Sequence, residues 1–211
     1  GGLVRITSSE YAADTILWPR LAPVLRQYPD IKLELFIDHG FTNIAAERFD
    51  AGVRLGESLE KDMIAIRISE DARLVAVATP GYFKKHPAPK TPQDLVRHTC
   101  INLHLATQGG RYPWEFEKKS RPLRLRVEGQ LIFNTMRPIL TAALEGFGIA
   151  FVPEDSVRLH VARGKLVQVL DDWCQPVAGV PLFYPTRRPT FAGFKIIFHA
   201  LRRWSFANGG G

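Results

Sequence analysis

Phe49-Asp50-Ala51-Gly52-Val53-Arg54-Leu55-Gly56-Glu57 is the stretch on which the reading of the chain turns. Ala51, Val53 and Leu55 alternate with Gly52, Arg54 and Gly56, the two-residue period of a strand. Gly56 stands where the run ends, so the backbone can turn there or let a ligand come close. Arg54 is out of keeping with a buried strand. A guanidinium is costly to bury unpaired, so it calls for an internal carboxylate or a bound anion.

Upstream, residues 3–7 read as a first strand. Ser8 and Ser9 follow and can cap a helix over 10–28, because a serine hydroxyl accepts a backbone N–H of the first turn. Pro19 should kink that helix. Residues 31–37 form a second strand and 41–48 a short helix leading into the opening stretch. The β-α-β-α order implies parallel strands with helical crossovers. On such sheets ligands bind outside the carboxyl ends of the strands, near helix N-termini. Ser8, Ser9, Arg54 and Gly56 all fall on that edge.

Downstream, strands are expected over 64–68 and 74–78, the second a continuous apolar run suited to a buried strand. Thr79-Pro80-Gly81 opens a helix ending near His86, and Thr91-Pro92 opens another over 93–97. Residues 99–105 form a strand with Asn102 and His104 on one face. A hairpin pairs 114–117 with 123–127, and a strand covers 131–133. Asn134 and Thr135 begin a helix over 136–145, closed by Gly146 and Gly148. A strand over 149–152, a helix over 155–163 and a strand over 166–170 follow. A strand over 180–184 precedes a helix over 190–204, whose Phe191, Phe194, Phe198, Leu201 and Trp204 make one apolar stripe. The strands therefore fall into two α/β lobes, residues 1–70 with 180–211 and residues 74–170. Segments 69–74 and 171–180 join them. Two crossings between the same two lobes describe a hinged pair around a central cleft.

Composition narrows the function. The 211 residues suffice for two lobes of about 100 each. A composition 45% hydrophobic and 23% charged is that of an ordinary soluble globular chain. The net charge of +7 invites a nucleic-acid reading. However, the densest basic run, Lys118, Lys119, Arg121, Arg124 and Arg126, alternates with Leu123, Leu125 and Val127. Its arginines belong to the solvated face of a half-buried strand, and no DNA-reading motif is present. Cys100 and Cys174 lie far apart, match no metal spacing, and read as reduced thiols of a reducing compartment. No apolar run of about 18 residues could span a membrane, and no signal peptide opens the sequence. A nucleophile elbow, a zinc-protease helix, a phosphate loop and dinucleotide glycines are all missing. Asp50, Glu57 and His104 could act as acid–base groups, but no spacing pairs them. Neither catalysis nor a cofactor is expected.

The sequence closely resembles the effector-binding (regulatory) domain of LysR-type transcriptional regulators over about residues 2–203. The resemblance rests on many short matches in the correct order. They include Gly2-Leu3-Val4-Arg5-Ile6-Thr7, Tyr28-Pro29 before Lys32-Leu33-Glu34-Leu35, and Asp50 to Gly56. Others are Ala78-Thr79-Pro80-Gly81-Tyr82-Phe83, Pro92-Gln93-Asp94-Leu95, His98 through Cys100-Ile101, and Trp114-Glu115-Phe116. The series ends with Ala143-Leu144-Glu145-Gly146-Phe147-Gly148-Ile149-Ala150, Val152-Pro153, Asp172-Trp173-Cys174 and Tyr184-Pro185-Thr186-Arg187-Arg188. The resemblance implies the two-lobed fold of type II periplasmic binding proteins and a small, anionic effector in the cleft. It also implies a cytoplasmic protein whose regulatory domains pair as antiparallel homodimers and whose full-length form is a tetramer. DNA binding would belong to an N-terminal winged helix-turn-helix and linker helix not among these residues.

Carried over residue by residue, the resemblance assigns Ser8, Ser9, Arg54 and Gly56 to the first lobe's side of the cleft. Asn102, His104, Phe133, Asn134, Phe151 and Pro153 fall to the second lobe's side. Many relatives carry arginine where His104 stands. Plain alternatives remain open: Ser9 and Asn134 as helix caps, His104 as a structural histidine, Phe133 and Phe151 as core. A periplasmic-type solute-binding protein of the same architecture is the rival reading.

Overall fold

The computed structural model describes residues 2–38, 40, 43–54, 61–105, 109–187 and 189–207, with side chains through 203. The chain divides into two compact units, residues 1–71 with 178–211 and residues 72–177.

The first unit is built on a five-stranded sheet. β1 (Gly2–Ser8) lies between β2 (Ile31–Ile37) and β3 (Ala51–Val53), parallel to both. This is the arrangement that the β-α-β-α order implies. β4 (Met63–Arg67) closes the far edge. The strand of the opening stretch is short, ending at Val53; Leu55, Gly56 and Glu57 lie outside the described residues.

The helix after β1 is continuous from Glu10 to Gln27 but not uniform. It runs as α1 (Glu10–Ala12), a π-helical turn (Ala13–Leu17) and α2 (Trp18–Gln27). Proline has no N–H to donate back along the helix. The irregularity expected at Pro19 is taken up just before it, where the Trp18 N–H reaches the Ala13 carbonyl five residues back. A second proline, Pro23, sits inside α2.

The helix expected over 41–48 does not form in the described part, 43–48. Residues 44–48 make a single turn, in which Asn43 Oδ1 accepts the Ala46 N–H at 2.8 Å. Arg48 at φ 58° reverses the chain, and the Phe49 N–H closes on the Ile44 carbonyl at 2.9 Å. A left-handed residue so soon after the start leaves no length for a helix.

In the second unit, β5 (Leu74–Ala78) is flanked antiparallel by β11 (Ala150–Pro153) and β12 (Val167–Val169). Residues 75–78 are fully buried, as their continuous apolar run requires. β6 (Asn102–Leu105) lies between β7 (Gly110–Arg111) and β10 (Ile132–Phe133). β8 (Trp114–Lys118) and β9 (Arg121–Leu125) form the expected hairpin. α3 (Pro80–Lys85), α4 (Met136–Leu144) and α5 (Glu154–Ala162) sit where periodicity puts them. The segment 93–97 is a 3-10 turn rather than an α-helix (Pro92–Arg97), closed by a Thr91–Asp94 capping box. Gly129 has a packing reason: a Cβ there would lie 1.7 Å from the Cys100 carbonyl oxygen.

The chain then re-enters the first unit. β13 (Pro181–Pro185) inserts between β3 and β4, antiparallel to both. α6 (Ala192–Ala207) packs Phe194, Phe198 and Leu201 into the core of Val4, Ile6, Leu17 and Leu21. The side chain of Trp204 lies outside the described residues.

Both cysteines are free and buried. Burial pushes the Cys100 thiol up to about 12 and the Cys174 thiol up to about 11. The thiolate is the reactive form, so at pH 8 a disulfide reagent should leave both thiols untouched in the folded protein. Unfolding should release two equivalents; rapid release from the native chain would show the burial to be wrong.

Candidate functional site

The carboxyl edge of the first sheet is where the fold gathers chemistry. Ser8 ends β1, opposite Ile37 of β2 and Val53 of β3. It is fully buried, and its Oγ has no hydrogen-bond partner among the described residues. A buried hydroxyl left unsatisfied costs about 1–3 kcal/mol, and such groups are rare in native proteins. Ser9 is the N-cap of α1: its Oγ accepts the Ala12 N–H at 3.2 Å, and its own N–H reaches the Val53 carbonyl at 3.3 Å. The cap alternative for Ser9 therefore holds.

Arg54 follows β3 directly and is half-buried. Its guanidinium donates to the Gly40 carbonyl at 2.7 Å and reaches Thr7 Oγ1 at 3.5 Å. Arg54 thus has internal partners, a carbonyl and a hydroxyl. Thr7 and Ser8 point to opposite faces of β1. Ser8 and Arg54 accordingly share an edge of the sheet but are not on one face of it. Gly56 lies outside the described residues. Asp50 is structural: its carboxylate accepts the Arg5 N–H at 2.8 Å, and burial outweighs that bond to hold its pKa above the ordinary range.

In the second unit Asn102 and His104 do share a face of β6, with different fates. Asn102 is 1% exposed and spends its amide on the Val127 carbonyl at 3.2 Å. His104 is exposed. Phe133, half-buried, pairs with Leu103 in the parallel β6–β10 ladder. Asn134 follows the end of β10 and is exposed. Asn134 is not the cap of α4; Thr135 holds that position.

Phe151 and Pro153 belong to another sheet and do not join this group. Phe151 is 6% exposed, stacked on Trp114 at 5.1 Å between ring centres, with Phe116 as the second neighbour at 5.0 Å. It is core, because β11 is covered by the β8–β9 hairpin. Pro153 is buried at the start of α5, where its carbonyl accepts Ser156 Oγ at 2.6 Å.

Three participants escaped the sequence reading. Thr7 and the Gly40 carbonyl hold Arg54, and Arg111 of β7 stands opposite His104. Thr7 carried a signal in the register of β1 against β3. Arg111 carried none, since Gly109 and Gly110 read as a turn and the pairing beyond it depends on the fold. No group of three or more potential metal ligands occurs among the described residues. Among them, also, no helix is long and apolar enough to cross a membrane.

These two α/β units have the architecture of a regulatory domain of the periplasmic-binding-protein type. The fold superimposes on the full-length Vibrio cholerae virulence activator AphB with a TM-score of 0.82 at 22% identity, covering 95% of this chain and 68% of that one. It matches the regulatory domain of AphB from Vibrio vulnificus with a TM-score of 0.80 at 23% identity, covering 97% and 100%. The family model of the LysR substrate binding domain matches residues 1–204, and the chain belongs to that family. A putative transcriptional regulator of Pseudomonas aeruginosa is 49% identical over 201 residues, 95% of this chain and 66% of its own length. The HTH-type transcriptional regulator PgrR of Escherichia coli is 41% identical over 201 residues, 95% of this chain and 67% of its own length. The chain thus spans about two thirds of the length of these relatives. The family is one of transcriptional regulators, not of enzymes.

Replacing Ser8 by alanine removes the orphan hydroxyl. Ser8→Ala should leave the thermal midpoint unchanged or raised, since an unsatisfied group is lost and no bond is broken. A clear drop in the midpoint would reveal a partner for that hydroxyl.

Proposed function

We propose that this chain is the effector-binding and oligomerisation domain of a cytoplasmic LysR-type transcriptional regulator. It binds a small anionic molecule at the carboxyl edge of the first sheet. The full-length protein, a tetramer assembled from dimers of this domain, then changes its hold on DNA. The observation that carries the reading is Ser8 Oγ, buried without a partner among the described residues beside the first turn of the 10–27 helix. A ligand oxygen there would satisfy the hydroxyl and lie beside the positive end of the helix dipole. The charge of Arg54 at the same edge favours an anion.

The magnitudes are sufficient. A helix terminus contributes about 0.3–1 kcal/mol toward an anion, and a hydrogen bond to a charged group about 1.5–3. A ligand shifts a regulator only by its differential affinity for two states. A tenfold shift needs about 1.4 kcal/mol, so a single such contact decides whether the regulator responds.

A thermal-shift screen of small carboxylates, phosphates and neutral metabolites should raise the midpoint with anions only. For the best anion, Arg54→Ala should weaken binding about tenfold or more while the apo midpoint stays near that of wild type. Equal binding by the variant, or stabilisation by neutral compounds alone, would overturn the anionic site.

Dimerisation is tested separately. Size-exclusion chromatography with light scattering should show twice the chain mass of 23.7 kDa at high concentration. A monomer throughout would remove the oligomerisation role.

A further inference from the structure

The second unit holds a cluster of titratable rings that the effector reading leaves unused. Tyr82, on α3, is 7% exposed. Its Oη lies 2.8 Å from His98 Nδ1 and accepts the Thr99 N–H at 3.1 Å. His86, the C-cap of α3, stacks on the Tyr82 ring at 4.7 Å between centres and stands 6.4 Å from the His98 ring. The Pro87 backbone also acts on the His98 ring as a hydrogen-bond acceptor.

We propose that Tyr82 and His98 form an acid-released latch: protonation of His98 breaks the join between α3 and the segment that leads into β6. The hydrogen-bond logic sets the direction. A carbonyl only accepts, so the nitrogen facing Pro87 carries the proton and Nδ1 of the neutral ring is bare. Nδ1 then accepts the Tyr82 hydroxyl proton, while Tyr82 Oη accepts Thr99. Every group in the chain Thr99–Tyr82–His98–Pro87 is satisfied, with His98 neutral. A second proton has only Nδ1 to occupy, and there it faces the hydroxyl proton head-on. The tyrosine proton must turn away, and the Tyr82–His98 bond is lost.

The charged surroundings point the same way. From α3, His86 adds a like charge when protonated. From the 3-10 turn, Arg97 adds another and Asp94 opposes it. Asp94, however, is already engaged by the N–H groups of Lys90 and Thr91 and by Arg97. Beyond Tyr82 lies Cys100, whose thiol stays neutral. Burial first, then His86, holds the His98 pKa below the ordinary value of 6.5. The unfolded chain therefore takes up a proton before the folded one does. The stability held by the neutral latch is complete above 6.5 and drains away as the pH falls below it, until the folded-state value is passed. What loosens is the lead-in to β6, the strand of Asn102 and His104. Acid would thus act on the second unit with no effector bound, and the latch stands whether or not the effector reading does.

The test is an NMR titration of the effector-free wild-type domain from neutral to mildly acid pH, following the histidine rings and the Thr99 amide. His98 should titrate below the ordinary histidine range, and the Thr99 amide should shift and lose exchange protection with the same midpoint. His98→Gln, which keeps an acceptor but cannot titrate, should flatten the acid fall in thermal midpoint. His86→Gln should keep that fall at a higher His98 midpoint. A His98 that titrates at or above the ordinary value with Thr99 unmoved would overturn the latch, and so would an unchanged acid profile in a folded His98→Gln. If that variant does not fold, the wild-type titration decides alone.

Discussion

The first unit depends on the insertion of one strand. β13 arrives from the far end of the chain and pairs with β3 on one side and β4 on the other, Leu182 against Val53 and Leu182 against Ile66. Without it β4 would have no neighbour, and the short β3 would be an edge with unpaired N–H and C=O groups. The insertion also explains Gly52. A Cβ there would lie 2.6 Å from Ile44 Cδ1, so glycine lets Ile44 press onto the sheet beside Phe49 and Phe183. The turn over 44–48 is held by that contact rather than by helix propensity. Segments from opposite ends of the sequence are bound together through the core of the first unit, and the chain must leave for the second unit and return.

The second unit is organised by close backbone approach. The Cys100–Ile149 bridge joins the lead-in of β6 to that of β11, with Gly129 and Gly148 packed against the backbone of residues 99–100. Nothing larger than glycine fits at Gly129. Arg73 gives the same unit an electrostatic clasp: it pairs with Glu154 on α5 and with Asp171, and donates to the Cys174 carbonyl at 3.2 Å. Half-buried ion pairs contribute when several converge on one guanidinium in fixed geometry. Here they tie the first residues of the unit to its last. Tyr82 and His98 join α3 to the same backbone centre, which is why one proton there is felt by β6.

Residue order carried most of the elements because their causes are local. The apolar run of residues 74–78, the Thr91–Asp94 capping box and the glycine stops at Gly146 and Gly148 act within a few residues. Where a cause was not local, local signals misled. The turn over 44–48 has helix-like composition but is ended by Arg48 in a left-handed conformation and by packing on the sheet. Of the candidate site, Ser8, Ser9 and Arg54 were legible because strand ends and helix starts can be placed from periodicity. Their partners were not, since hydrogen bonds between Arg54, Thr7 and Gly40 join segments that periodicity treats separately. Phe151 and Asn102 show the converse: each sits correctly on its strand, yet the hairpin packed over one and the Val127 carbonyl beside the other assign them to the interior.

The sequence by itself determined the α/β class, the strand and helix order, the free state of two isolated cysteines and the family. Each of these rests on short-range alternation, spacing, capping and motif order. Tertiary structure alone decided that Ser8 keeps a buried hydroxyl with no partner among the described residues, that Arg54 and Ser8 face opposite ways from one edge, and that His98 meets Tyr82. These are properties of pairs of segments that the chain holds apart. Burial and hydrogen-bond partnership come from which surfaces meet, and no local period encodes that.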